Sequence, residues 1–154
     1  MIKNIDIKDN KTAEAVLQLQ LSSYKIEADI IGYQDLPPLK DTAADLQQSG
    51  EVFLGYFIDE KLAGVISFKL EQNEVDIHRL IVSPHYFRQG IAQQLLTDLK
   101  SRSQRETIKV ATASKNAPAI RFYLKNRFKK TGEIKINSQL SLSFFVKIYR
   151  GECT

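Results

Sequence analysis

A mixed α/β sheet with helices on both faces is the fold class this chain predicts, and three observations lead there. Periodic segments follow one another in the order β-α-α-β-β-β-α-β-α-β-β. The run Glu74–Val82 is followed by a helical stretch and then by the strand Ile108–Ala113, so those two strands are expected to be parallel neighbours. No Pro/Gly/Ser linker, repeat or low-complexity tract divides the 154 residues, so residues 1–154 are expected to form a single domain with one sizeable core. The content, 43% hydrophobic and 26% charged, is that of a globular chain and excludes disorder in bulk.

Each element has a local cause. Ile2, Ile5 and Ile7 suggest a short first strand. Asp9-Asn10 offers a cap before Ala13, Val16, Leu17, Leu19 and Leu21, a helical spacing that continues through Tyr24–Ile31 and stops near Gly32. Leu36-Pro37-Pro38 breaks the chain. Asp41 is expected to cap a second helix, Thr42 to Gln48, ending at Gly50. Val52–Ile58 and Leu62–Leu70 are β-rich runs joined by Asp59-Glu60-Lys61 and read as an antiparallel hairpin. Glu74–Val82 is the third long strand. A helix opens at Gly90 and runs to about Ser103. After the strand Ile108–Ala113, Asn116-Ala117-Pro118 starts another helix to about Asn126, its proline in the first turn where no N–H is needed. Ile134–Ile136 and Leu140–Tyr149 close the chain as strands.

Charge is unevenly divided. Residues 1–80 hold 8 Lys+Arg against 14 Asp+Glu, a net of −6, and residues 81–154 hold 14 against 4, a net of +10. A basic half suits a polyanionic ligand and an acidic half suits a cationic one. A nucleic-acid interface would have to use Arg121, Lys125, Arg127, Lys129 and Lys130. No helix-turn-helix, zinc spacing or stacking aromatic motif accompanies them, so no nucleic acid is expected. The N-terminal segment alternates polar and apolar residues, and no window is apolar enough to span a bilayer, so neither a signal peptide nor a membrane partner is expected. The single cysteine, Cys153, excludes an internal disulfide, which fits a reducing, cytoplasmic setting. No metal is expected.

The chemistry concentrates between Asp76 and Leu96. An apolar run breaks at Ser83-Pro84, passes the basic turn Arg88-Gln89-Gly90 and becomes helical, with Ile91, Leu95, Leu96 and Leu99 on one face. A helix start carries unpaired N–H groups and partial positive charge, and a glycine there lets an anion approach the backbone closely. Such a strand–turn–helix unit points to a phosphorylated ligand.

The segment Tyr86-Phe87-Arg88-Gln89-Gly90-Ile91-Ala92 resembles the acyl-CoA signature of the GCN5-related N-acetyltransferase (GNAT) superfamily: an arginine or glutamine, two residues, glycine, one residue, then glycine or alanine. Gly90 and Ala92 fill the last two positions. The first is Phe87, with the arginine one place later at Arg88. A second similarity is an asparagine that opens the following helix with a tyrosine seven residues on, here Asn116 and Tyr123. The resemblance implies a mixed, mostly antiparallel sheet of about seven strands and the transfer of an acetyl group from acetyl-CoA to a primary amine. It implies that main-chain groups at Leu80, Ile81 and Val82, in a bulged fourth strand, hold the pantetheine arm and thioester. The diphosphate would sit on the N–H groups from Arg88 to Ala92, with Arg88, then Gln89, as side-chain contacts.

Two roles remain to be filled. Tyr123 is the candidate general acid for the departing thiolate, with packing beside Ile120 and Leu124 as its alternative. His78 is the candidate base, directly or through water, with a satisfied structural histidine as its alternative. Asp76 shares its side of the strand. The family's acceptor segment lies between the first two helices; here it holds Tyr24, Glu27, Asp29, Tyr33 and Asp35, acidic and aromatic enough for an ammonium group. A non-catalytic acyl-CoA-binding module would keep the anion cradle without the acid. The apolar strand Leu140–Tyr149 invites a homodimer, with an ordinary core strand as its alternative.

Overall fold

Residues 1–149 are described by the computed structural model, so Cys153 lies outside the described residues. They form β1 (Ile2–Ile5), α1 (Asn10–Ile31), α2 (Ala43–Gln47), β2 (Val52–Ile58), β3 (Lys61–Glu71), β4 (Glu74–Val82), α3 (Ile91–Ser103), β5 (Thr107–Ala113), α4 (Ala117–Lys125), β6 (Lys129–Lys135) and β7 (Ser141–Ile148). The strands make one sheet in the order β1-β2-β3-β4-β5-β7-β6. Every neighbouring pair is antiparallel except β4–β5, joined through α3 and parallel as expected. No helix of the described residues is long and apolar enough to cross a membrane.

Alternation along the strands sorts the side chains into two layers. On one face Val75, Ile77, Ile108, Val110 and Phe145 pack with Leu95 and Leu99 of α3 and Tyr123 of α4. On the other, Phe53, Val65 and Ile81 pack with Val16 and Leu17 of α1 and Leu46 of α2. Farther along α1, Ala28 and Ile31 cover Ala113 and Leu140. Helices α1 and α4 therefore lie on opposite faces.

The caps explain where helices begin and end. Asp9 accepts the Thr12 N–H at 3.0 Å, and Gly32 closes α1 in the left-handed conformation, φ 71°, which only glycine adopts without cost. Asn116 caps α4 by accepting from the Ala119 N–H at 3.3 Å. The expected cap Asp41 is a correction. Thr42 caps α2 instead, in a capping box with Asp45, and the Asp41 carboxylate turns to Arg79 at 3.0 Å. The penultimate strand is also longer than expected. β6 begins at Lys129, and every one of its residues is exposed. It forms an edge by pairing with β7 rather than by burying an apolar face, so periodicity reports only its C-terminal end at Ile134.

The feature that positions the site is a β-bulge at His78. Ser67 pairs with Arg79 and Phe68 with Ile77, which leaves His78 as the extra residue of β4. An extra residue inverts the alternation beyond it. Val75 and Ile77 face α3, and past the bulge Leu80 and Val82 face that side again while Ile81 faces α1.

Candidate active site

At the bulge β4 and β5 part. Their pairing runs from Glu74↔Thr107 to Ile77↔Val110 and stops. β5 goes on with β7 as far as Ala113↔Leu142, and β4 goes on with β3 as far as Val82↔Gly64. The stretch Arg79–Val82 thus pairs on one side only. Because backbone groups of a strand alternate between its two edges, those directed at β5 open onto a wedge. This is where Leu80, Ile81 and Val82 were expected to offer main-chain contacts. Their side chains are spent on the two cores, Ile81 fully buried.

The mouth of the wedge is the turn before α3. Arg88 and Gly90 both have positive φ, 65° and 76°, which curls the chain around Gln89 so that successive N–H groups converge. Gly90 is the N-cap and provides no side-chain cap. The first intrahelical bond runs from Gln94 N–H to the Gly90 carbonyl at 3.0 Å, so the N–H groups of Ile91 and Ala92 precede the ladder. A Cβ built at Gly90 would meet nothing within 4 Å, so the cradle is open. Phe87, Arg88 and Gln89 are exposed around it. Ile91 contributes only main chain, since its side chain is buried. Its seat depends on Gly64, where a Cβ would stand 2.8 Å from Ile91 Cγ2 and 3.1 Å from the Ile81 carbonyl oxygen.

Deep in the wedge, side chains from both faces meet. Tyr123 of α4 is buried, its ring edge-on to Phe122 and Phe128 at 5.3 and 5.2 Å. Burial pushes its phenol well above the ordinary tyrosine range, and the charges of Tyr24 and Glu27 push it further. Tyr24 and Glu27 belong to α1 on the far side of the sheet, so they influence Tyr123 through the opening. The Tyr24 phenol is raised as well, by burial first and then by Glu27. Burial also raises the Glu27 carboxyl above the usual carboxylate range, opposed by a hydrogen bond from Asn116. The Asn116 Oδ1 accepts from Ala119 N–H, which leaves its amide nitrogen as the group that tempers the rise at Glu27. The structure thus joins Tyr24, Glu27, Asn116 and Tyr123. No hydrogen bond engages the Tyr123 hydroxyl among the described residues.

His78 occupies the bulge itself, on the α1 face and exposed. Its Nδ1 lies 3.5 Å from Glu51 Oε2 and its Nε2 lies 3.3 Å from Asp76 Oδ2. Both ring nitrogens therefore face carboxylates. Asp76 and His78 form one wall of a groove of about 500 Å3 that runs over Lys109, Ala111, Phe144 and Val146 to Thr131. Lys109 stands 3.6 Å from both Glu71 and Glu74. Tyr33 lies at the other side of the site, where its hydroxyl accepts from Asn137 Nδ2 at 3.2 Å and ties the end of α1 to the β6–β7 loop. Asp29 and Asp35 are exposed and bond to Gln34 and Lys40. In the basic patch, Lys130 is spent on Glu133 at 2.7 Å.

Comparisons with known proteins bear on the family and the fold. A sequence model described as the acetyltransferase (GNAT) family matches residues 13–128. The chain belongs to that family. Among solved structures, this GNAT chain is similar to the PaiA N-acetyltransferase of Thermoplasma acidophilum in complex with coenzyme A, at a TM-score of 0.76 and 21% identity, over 94% of this chain and 96% of that one. It is also similar to the ribosomal-protein-S18-alanine N-acetyltransferase of Escherichia coli, at a TM-score of 0.75 and 14% identity, over 97% and 93%. Those likenesses show the GNAT fold. A curated relative, the UPF0157 protein YqkA of Bacillus subtilis, is 36% identical over 146 residues, covering 94% of this chain and 43% of that protein. The chain therefore spans less than half the length of that relative.

One cluster beside the site escaped sequence reasoning: Arg79, Glu51, Asp41, Gln20 and Ser67. Its signal was Gln20, a polar residue on the apolar stripe of α1 that includes Ala13, Val16 and Leu17.

Proposed function

We propose that this protein transfers an acetyl group from acetyl-CoA to the primary amine of a small amine, an amino acid or a peptide N-terminus, with both substrates bound together. One observation carries it: a half-paired β4 edge runs from an open helix-start cradle to a buried phenol and a half-buried carboxylate. The cradle from Arg88 to Ala92 suits a diphosphate. The free edge of Leu80–Val82 suits an extended amide-bearing arm that adds to the sheet like another strand. The GNAT family match and the coenzyme A held by the Thermoplasma protein support this choice of ligand.

The residues then divide the chemistry. An alkylammonium, with a pKa of roughly 10.4, must lose a proton before its nitrogen can attack the thioester carbon. Glu27 binds the ammonium and, with its carboxyl raised by burial, accepts that proton. His78, its nitrogens turned to Glu51 and Asp76, serves through water and lines the acceptor path with Asp76, Tyr24 and Tyr33. As the carbon–sulfur bond breaks, the sulfur takes a proton from the Tyr123 hydroxyl, and the second proton that nitrogen sheds on becoming an amide is returned to the tyrosinate through water. A thiol pKa of roughly 8.5 makes that donation useful at neutral pH.

The test is a panel of amines mixed with protein and acetyl-CoA, followed by free thiol and by the mass of the amine. Amine-dependent thiol release with a matching acetylated product supports the assignment. Tight acetyl-CoA binding with no release across the panel identifies a non-catalytic acyl-CoA-binding domain instead.

A further inference from the structure

One guanidinium beside the bulge holds together parts of the chain that are far apart in sequence. Arg79 donates from Nε to Glu51 Oε1 at 3.0 Å and from Nη2 to Glu51 Oε2 at 3.2 Å, a two-pronged pair. Its Nη1 donates to Asp41 Oδ2 and to Gln20 Oε1, both at 3.0 Å. Gln20 is wholly buried and spends its amide on Asp41 Oδ2 and the Pro38 carbonyl, each at 2.9 Å. Glu51, with its side chain 5% exposed, also accepts from Ser67 Oγ at 2.6 Å and lies against His78 Nδ1. The cluster thus joins α1, the α1–α2 connection, the residue just before β2, β3 and the bulge of β4.

Such a cluster is an unpromising source of stability. Stripping water from a guanidinium and two carboxylates costs about what their attraction returns, and apolar groups of the same volume often do as well. What it does provide is a defined geometry, because Arg holds planar, directional partners. The segment that needs this is the connection between α1 and α2, whose buried apolar anchor among residues 33–42 is Leu36. We propose that Arg79 is a positioning residue that fixes the α1–α2 connection and the His78 ring against the wedge, and so sets how the amine acceptor binds. It acts on the acceptor only if the chain is the acetyltransferase proposed above.

The test uses Arg79→Gln and, as a milder change, Asp41→Asn. Four quantities are measured: coenzyme A affinity, kcat/KM for the best acceptor, hydrogen exchange of residues 33–42, and the 15N shifts of the His78 ring. Both variants are expected to speed exchange of residues 33–42 and to lower acceptor kcat/KM by about tenfold or more, with coenzyme affinity within about twofold of wild type. Only Arg79→Gln should move the His78 shifts, since Asp41 does not touch Glu51. Unchanged exchange in both variants overturns the proposal. So does a parallel loss of coenzyme and acceptor binding, which marks general loosening. If the wild-type protein acetylates no amine, the function assigned above fails by itself, and exchange together with the ring shifts still decides whether Arg79 holds the segment.

Discussion

Replacing Tyr123 with phenylalanine removes one oxygen from a largely buried ring of α4. The ring keeps its contacts with Phe122, Phe128 and Phe145 at 5.3, 5.2 and 6.2 Å. The hydroxyl makes no hydrogen bond among the described residues, so no partner is orphaned and the stability change should stay below about 1 kcal/mol. For a domain of this size that is at most about 2–4 °C in Tm. The catalytic effect should be far larger. An ordinary phenol already carries its proton at neutral pH, and burial, with Tyr24 and Glu27, keeps that of Tyr123 in place until the thiolate forms. Removing a general acid costs roughly 100- to 10,000-fold in rate. The assay is thiol release at saturating amine, beside calorimetric titration of coenzyme A. Expected are a kcat loss in that range, an unchanged coenzyme Kd and a near-native Tm. A kcat within about threefold of wild type would refute the role, and Tyr123 would be a packing residue.

Other outcomes follow from the same geometry. Glu27→Gln should abolish the acidic limb of the pH–rate profile, because the carboxyl must lose its proton before it can accept one. The same residue has a stability signature. Its folded pKa is raised, so its favourable contribution is complete below the unfolded value and fades as pH rises through the folded one; Glu27→Gln should therefore melt higher than wild type at pH 7 and match it at low pH. Gly64→Ala puts a Cβ 2.8 Å from Ile91 Cγ2 and 3.1 Å from a backbone oxygen, an overpacking cost of about 1–3 kcal/mol, with weaker coenzyme binding as the start of α3 is displaced. Thr42→Ala removes the α2 capping box and should cost about 1 kcal/mol by thermal melting without altering coenzyme affinity.

Much of the framework was legible because local rules suffice for it. Asp9, Gly32 and Asn116 act as the caps their types suggest, and β2 and β4 end at the residues their apolar runs indicate. The open turn at Gly90 followed from the glycine and the helix beyond it. What the sequence left hidden depends on distant partners. Asp41 looked like a cap because its neighbours permit one, and it is drawn away by Arg79, 38 positions later. β6 has no buried face of its own and exists through β7. The bulge at His78 leaves no local trace, although it decides that Leu80 and Val82 face the same core as Ile77. The meeting of Tyr24 and Glu27 with Tyr123 needs two helices on opposite faces and an opening between them.

The most direct measurement is a crystal structure with acetyl-CoA bound. Phosphate oxygens within hydrogen-bond distance of the Gly90, Ile91 and Ala92 N–H groups, and a thioester lying between the free edge of β4 and the Tyr123 hydroxyl, are the expected result. A coenzyme seated elsewhere, with side chains closing the space between β4 and β5, would contradict the account at its root.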